Sequence, residues 1–272
     1  MGSMRRIWHN WWMQLVAGLL ITAIVVLPWL WIGEEDRSIL PYASDDAQGL
    51  LVVFSVITLW GSWFARSIGY GRTAFTVVAS VGMILGLLGL GFQGLHALEP
   101  GLLGGELSAA SIRHLWVFGG LLLISQAWYF LATKLRLPIA VLFYASLTVG
   151  VSYWLQIIAS LVAGAQSYYV YLWYAGPLIL GLILGFVGFL RIMNLLMWVF
   201  ALAIQWAMPA VVESTARVIE SKAIGWDAIG SFWKEFAGTV LDVPWQTPLL
   251  VSLATAMLTS VVLLIVRKVR RR

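Results

Sequence analysis

His96 and Glu99 stand three residues apart in GLHALEP (Gly94 to Pro100), and His114 follows at the far end of the same connecting stretch. Two imidazoles and a carboxylate form a ligand set that zinc accepts, and i, i+3 spacing places His96 and Glu99 on one face of a helix. Pro100 and Gly101 interrupt the local geometry, and the spacing matches no strong zinc signature, so the three are metal candidates on residue type alone. Cysteine is absent. That removes disulfides, thiolate nucleophiles, cysteine-ligated zinc and iron–sulfur clusters together. GxSxG, HExxH and P-loop motifs are also missing, and no paired carboxylates fall within an apolar run. No cofactor is expected, and no residue is assigned a catalytic role.

Inside the apolar runs the polar residues are Gln14, Gln126, Gln156, Asn194 and Gln205, with scattered Ser and Thr. Ionisable side chains cost about 2.5–3.5 kcal/mol at mid-helix on insertion scales and persist where they move protons, ions or substrates. This sequence places none there. Amides and hydroxyls suit hydrogen bonds between helices instead, each contributing about 1 kcal/mol. A carboxylate proton relay is disfavoured, and the mid-helix lysine of a retinal Schiff base and the paired histidines of a b-type haem are both missing. GWDAIGSFWKE (Gly225 to Glu235) is similar in outline to the Trp- and Asp-containing segment of haem-handling cytochrome assembly proteins. Its Trp spacing differs and flanking histidines are missing, so no function is carried over.

These residues must be held by membrane helices. Of the 272 residues 61% are hydrophobic and 11% charged, with a mean hydropathy of +0.90, against about 25% charged in soluble domains. No polar block exceeds about 35 residues, so residues 1–272 read as one integral membrane domain. Met1 to Ser3 read as a cloning scar before a start at Met4. The run that follows Arg5 and Arg6 reaches Ile32 without a small-x-small cleavage site and reads as a retained signal anchor.

Spans need about 20 apolar residues. Eight are expected: 11–32, 49–65, 74–92, 115–132, 139–162, 170–190, 195–211 and 248–266. RIMN (Arg191 to Asn194) separates the sixth from the seventh, and a tight turn at Arg191 is favoured over one long broken segment. The predicted fold class is an all-α polytopic membrane protein with both termini inside. In that arrangement the cytoplasmic side holds twelve basic residues, from Arg5 and Arg6 through Arg66, Lys134 and Arg191 to Arg272, and no acid. All twelve acids fall outside with five basic residues, as the positive-inside rule requires. The acidic loop Gly33 to Ala47 reads as tolerated outer charge, and RKVRRR (Arg267 to Arg272) as a stop-transfer anchor that also meets lipid. Trp8, Trp11, Trp12, Trp60, Trp63 and SYYVYLWY (Ser167 to Tyr174) read as interfacial belts.

GMILGLLG (82–89) and GLILGFVG (181–188) repeat one glycine spacing. Steps of four and three return to one helix face, so Gly82, Gly86 and Gly89, and likewise Gly181, Gly185 and Gly188, are expected to form stripes where another backbone approaches. An inverted repeat is the sharper reading, but residues 49–65 and 148–164 at the same offset show no useful identity.

From Val212 to Val243 an apolar stripe recurs every three to four residues and includes Ile219, Trp226, Ile229, Trp233 and Phe236. Two extracytoplasmic amphipathic helices are expected, bent near Gly225 or Gly230 and stopped at Pro244. The stripe covers a headgroup boundary, the chain's own helix ends or a partner's groove. The function expected first is a non-enzymatic subunit of a larger transport or secretion assembly in a bacterial cytoplasmic (inner) membrane. A self-contained channel or carrier comes second, with freed backbone near Asn194 and Pro209 lining a cavity. A lipid-modifying enzyme comes third. The expected partners are the lipid bilayer and other membrane subunits or further copies of the chain, with no nucleic acid.

Overall fold

The structure, a computed structural model, describes residues 11–32, 40–41, 46–69, 73–99, 107–162, 165–242, 244 and 246–269. Met1 to Ser3, Arg5, Arg6, most of the acidic loop, Arg72, Gly101, Glu106 and Arg270 to Arg272 lie outside them. Among the described residues every regular element is helical: α1 (Trp11–Ile32), α2 (Ala47–Gly69), α3 (Thr73–Leu98), α4 (Ala109–Lys134), α5 (Leu137–Leu161), a 3-10 turn (Ala165–Tyr168), α6 (Tyr169–Leu172), α7 (Ala175–Val187), α8 (Ile192–Glu220), α9 (Trp226–Val240) and α10 (Gln246–Val269). Among the described residues eight stretches are long and apolar enough to cross a membrane, α6 and α7 together making one of them. The protein is an all-helical integral membrane protein, and each expected span falls on one of the eight.

Chain breaks fall where the backbone demands them. Pro138 sits in the first turn of α5, where its missing N–H costs nothing. Gly188 closes α7 at φ +73°, in the region that glycine enters freely, and its N–H reaches the Leu184 carbonyl. Asn194 Nδ2 then donates to the Val187 carbonyl at 2.9 Å, satisfying an acceptor of the last turn of α7. The sixth and seventh spans are therefore separate helices with their turn at 188–191.

The stretch after the seventh span differs from expectation. Val212 to Glu220 is not an independent outer helix but the end of α8, which runs 29 residues through Pro209. No glycine interrupts it. At 1.5 Å per residue it extends about 44 Å, beyond a hydrocarbon core of about 30 Å. The break comes at 221–225, where Lys222 (φ 64°) and Gly225 (φ 66°) both leave helical space, and α9 begins at once. Val212 and Ala216 are buried, whereas Trp226, Ile229 and Trp233 are exposed, so the sequence stripe divides at this break.

Contacts divide the chain into two compact units, Met1–Lys134 with Thr215–Gly225 and Leu135–Ser214 with Trp226–Arg272. In the first unit α1 pairs most extensively with α3, and α2 with α4. Val25, Val26, Leu50, Ile57, Met83 and Leu87 fill its centre. Tyr129 is buried among them and donates its hydroxyl to the Thr76 carbonyl at 2.8 Å. Ser80 donates to Gln126 Oε1 at 2.6 Å, and Arg66 Nη1 caps α4 through the Ala132 carbonyl at 2.8 Å. In the second unit α7 is the centre, packed on α10 and α5, with Leu180, Ile183, Leu184 and Tyr144 buried.

Candidate functional site

The polar centre of the second unit is organised by proline. Pro177, in the first turns of α7, has no N–H to offer the carbonyl of Trp173 four residues back. Ser152 of α5 supplies the missing donor, its Oγ lying 2.8 Å from the Trp173 carbonyl. The same oxygen accepts the Gly176 N–H at 2.9 Å, an orphan donor of the helix start. One buried hydroxyl thus completes both sides of the break between α6 and α7.

Pro209 does the same to the Gln205 carbonyl in α8. The Gln205 side chain is buried, and its Oε1 lies 2.7 Å from Ser252 Oγ of α10, which is also 2.9 Å from the Pro177 carbonyl. Ser252 has one hydroxyl proton for these two acceptors, while Gln205 Nε2 has no partner among the described residues. Exchanging the amide oxygen and nitrogen resolves the competition for that proton: Nε2 donates to Ser252 Oγ, and Ser252 donates to the Pro177 carbonyl. A cavity of about 30 Å³ lies here, bordered by Ser152, Trp173, Gln205, Trp206, Pro209 and Pro244. That is room for one or two waters. A buried Trp206 Nε1 without a protein partner adds a donor beside it. The space suits water or a comparably small polar group, and no carboxylate, histidine or lysine is among the residues that line it.

Sequence singles out Gln205 and Pro209, as an amide within a span and a break. It does not single out Ser152, Ser252 or Pro177, since nothing in their local sequence shows that three helices meet there. A proline four residues after a carbonyl that must be buried is the one available signal.

Of the metal candidates, Glu99 and His114 have protein contacts. Ser108 caps α4, its Oγ accepting the Ser111 N–H at 3.2 Å. Glu99 Oε2 accepts the Ser108 N–H at 3.2 Å and the Ser111 hydroxyl at 2.7 Å. These hydrogen bonds, Ser111 first, hold the Glu99 carboxyl below its ordinary value. His114 is buried with its ring 6.1 Å from that of Phe118, while His96 is exposed. Among the described residues no three His, Asp or Glu side chains are grouped as a metal would need.

The glycine stripes are uneven. A Cβ on Gly82 would collide with the Leu15 carbonyl of α1, and one on Gly18 with the Ala79 carbonyl of α3. On Gly86 it would lie 3.0 Å from Thr22 Cβ. Gly181 faces the Ser252 carbonyl and Thr255 Cβ of α10, each at 2.6 Å, and Gly185 faces Thr259. Ser260 Oγ donates to the Gly185 carbonyl at 3.1 Å. Gly89 and Gly188 have nothing within 4 Å of an added Cβ. In the first unit the glycine helix α3 is the third span and packs on the first, whereas in the second unit the glycine helix α7 completes the second span and packs on the last. The two stripes do not hold corresponding places along their units.

Of the interface candidates, Ile219 lies on α8, while Trp226, Ile229, Trp233 and Phe236 lie on α9. No residue of α9 is buried. Trp226 is 85% and Trp233 60% exposed. Phe232, Trp233 and Phe236 pack on one another, with ring centroids 5.4 to 5.9 Å apart. Comparison of the chain with protein-family models, curated proteins and solved structures finds no match.

Proposed function

We propose that the protein is a non-enzymatic subunit of a larger transport or secretion assembly in a bacterial cytoplasmic membrane, with both termini inside and α9 on the outer face. The supporting observation is α9 itself: 15 residues, none buried, with Trp226, Ile229 and Trp233 open. Phe232, Trp233 and Phe236 form a rigid aromatic cluster of the kind that anchors an interface at low entropic cost. Its occupant is an apolar helix groove of a neighbouring membrane subunit at headgroup level. Interhelical polar pairs such as Ser80 with Gln126 serve packing rather than chemistry.

Trp226→Asp with Trp233→Asp tests this reading. The variant should insert, remain monodisperse and lose a stoichiometric membrane partner that copurifies with the wild type. Aggregation, or unchanged composition of the purified complex, would overturn it, the latter favouring a helix that rests in the headgroup boundary.

A second reading, a self-contained carrier, is favoured by the small cavity beside the Gln205 amide and Pro209. Solute flux through proteoliposomes of the isolated chain, abolished by Gln205→Leu, would establish it over the first.

A further inference from the structure

A second cavity opens at the other end of the second unit, where α7 stops and α8 begins. It measures about 440 Å³ and is bordered by the turn 185–191, by Leu137 and Pro138 of α5, and by Ser260, Leu263, Leu264 and Arg267 of α10. That size falls within the range of small-molecule sites, about 300–1,000 Å³. Its polar wall is divided in a particular way. Asn194 uses one of its two amide N–H groups on the Val187 carbonyl, and Ser260 spends its hydroxyl on the Gly185 carbonyl. Arg191 and Arg267 are the charged residues of the lining, and no Asp or Glu is among the lining residues. Its apolar wall includes Leu190, which is 71% exposed, and Phe186, which is 49% exposed.

We propose that this cleft binds the phosphate-bearing headgroup of an anionic glycerophospholipid. Two guanidinium groups without a lining carboxylate favour a phosphate, which arginine binds through paired N–H bonds. The exposed Leu190 and Phe186 offer an acyl chain a surface continuous with the cleft, which a free anion would not use. Basic pockets between membrane helices on the cytoplasmic side are suited to such headgroups. The charge distribution of the chain puts Arg191 and Arg267 on that side.

Native mass spectrometry of the full chain in neutral detergent, titrated with phosphatidylglycerol, phosphatidylcholine or inorganic phosphate, tests the site. One phosphatidylglycerol should be retained in preference to phosphatidylcholine, and Arg191→Gln with Arg267→Gln should weaken that adduct by roughly thirty-fold, as expected for two basic groups at an anionic surface. Neutralising Arg270, Arg271 and Arg272 instead should leave the adduct in place, which separates the cleft from general attraction to the basic tail. An unchanged melting temperature of the double variant shows that its loss is not unfolding. Equal retention of both lipids, an adduct that survives the double substitution, or loss on neutralising the tail alone would overturn the proposal. Displacement of the lipid by inorganic phosphate at equal concentration would overturn the lipid source in favour of a free anion.

Discussion

Ser152 and Trp173 are joined by a 2.8 Å hydrogen bond that replaces the one Pro177 cannot make. Because Ser152 Oγ also accepts the Gly176 N–H, removing it strands a half-buried acceptor and a buried donor together. Ser152→Ala should lower stability by about 1–3 kcal/mol, the range for leaving buried polar groups unsatisfied. A melt in detergent reads this directly. Ser152→Ala with Pro177→Ala should recover part of the loss, since the second substitution returns an N–H to the Trp173 carbonyl. Equal melting of wild type and Ser152→Ala would show that the hydroxyl does not hold the break.

The glycines make a sharper comparison, because two of the three members of one stripe predict different outcomes. Gly82→Ala sets a methyl against the Leu15 carbonyl of α1, and backbone cannot move aside as a side chain can. A loss of about 1–3 kcal/mol is expected, as for an overpacked core. Gly89→Ala meets nothing within 4 Å, so it should stay within about 1 kcal/mol of wild type, helix propensity being the main change. If both variants melt alike, α1 and α3 do not approach at Gly82 as described.

That contrast shows where sequence reading stops. Spans such as Trp11–Ile32 were legible because a long apolar run has no other stable use, and the turn at 188–191 because RIMN interrupts one. Helical spacing placed Gly82, Gly86 and Gly89 on one face but carried no information on how far along it the partner helix stays close. The stripe after Val212 misled for a related reason. The chain does break beside Gly225, one of the two expected places, but the period runs on through 221–225 and does not show that Val212 and Ala216 are buried while Trp226 and Trp233 are exposed. The relay among Gln205, Ser252 and Pro177 joins residues dozens of positions apart, and no local pattern encodes it.

Glu99 gives a pH dependence with a definite sign. Its carboxyl is held below the ordinary value of 4.5 by the Ser111 hydroxyl and by Ser108. The folded protein therefore binds this proton less readily than the unfolded chain, and the contribution is present above the unfolded value and lost as pH falls through the folded one. Glu99→Gln should melt lower than wild type at pH 7, with the difference closing as the pH falls below 4.5. A difference that persists unchanged in acid would assign the effect to packing instead of charge.

The orientation of the chain is testable because it contains no cysteine, so any introduced thiol reports alone. Leu190 and Ser221 are both exposed and flank the 29 residues of α8. A helix of that length that crosses once must leave its two ends on opposite sides. Neither substitution changes a charge, so neither disturbs the basic residues that set orientation. With both termini inside, Ser221→Cys should react with a membrane-impermeant maleimide in intact spheroplasts, and Leu190→Cys only after the membrane is opened. The reverse pattern would invert the topology and move Arg191 and Arg267 to the outer leaflet. Labelling of both from one side would mean that α8 does not cross, and the count of eight spans would fall with it.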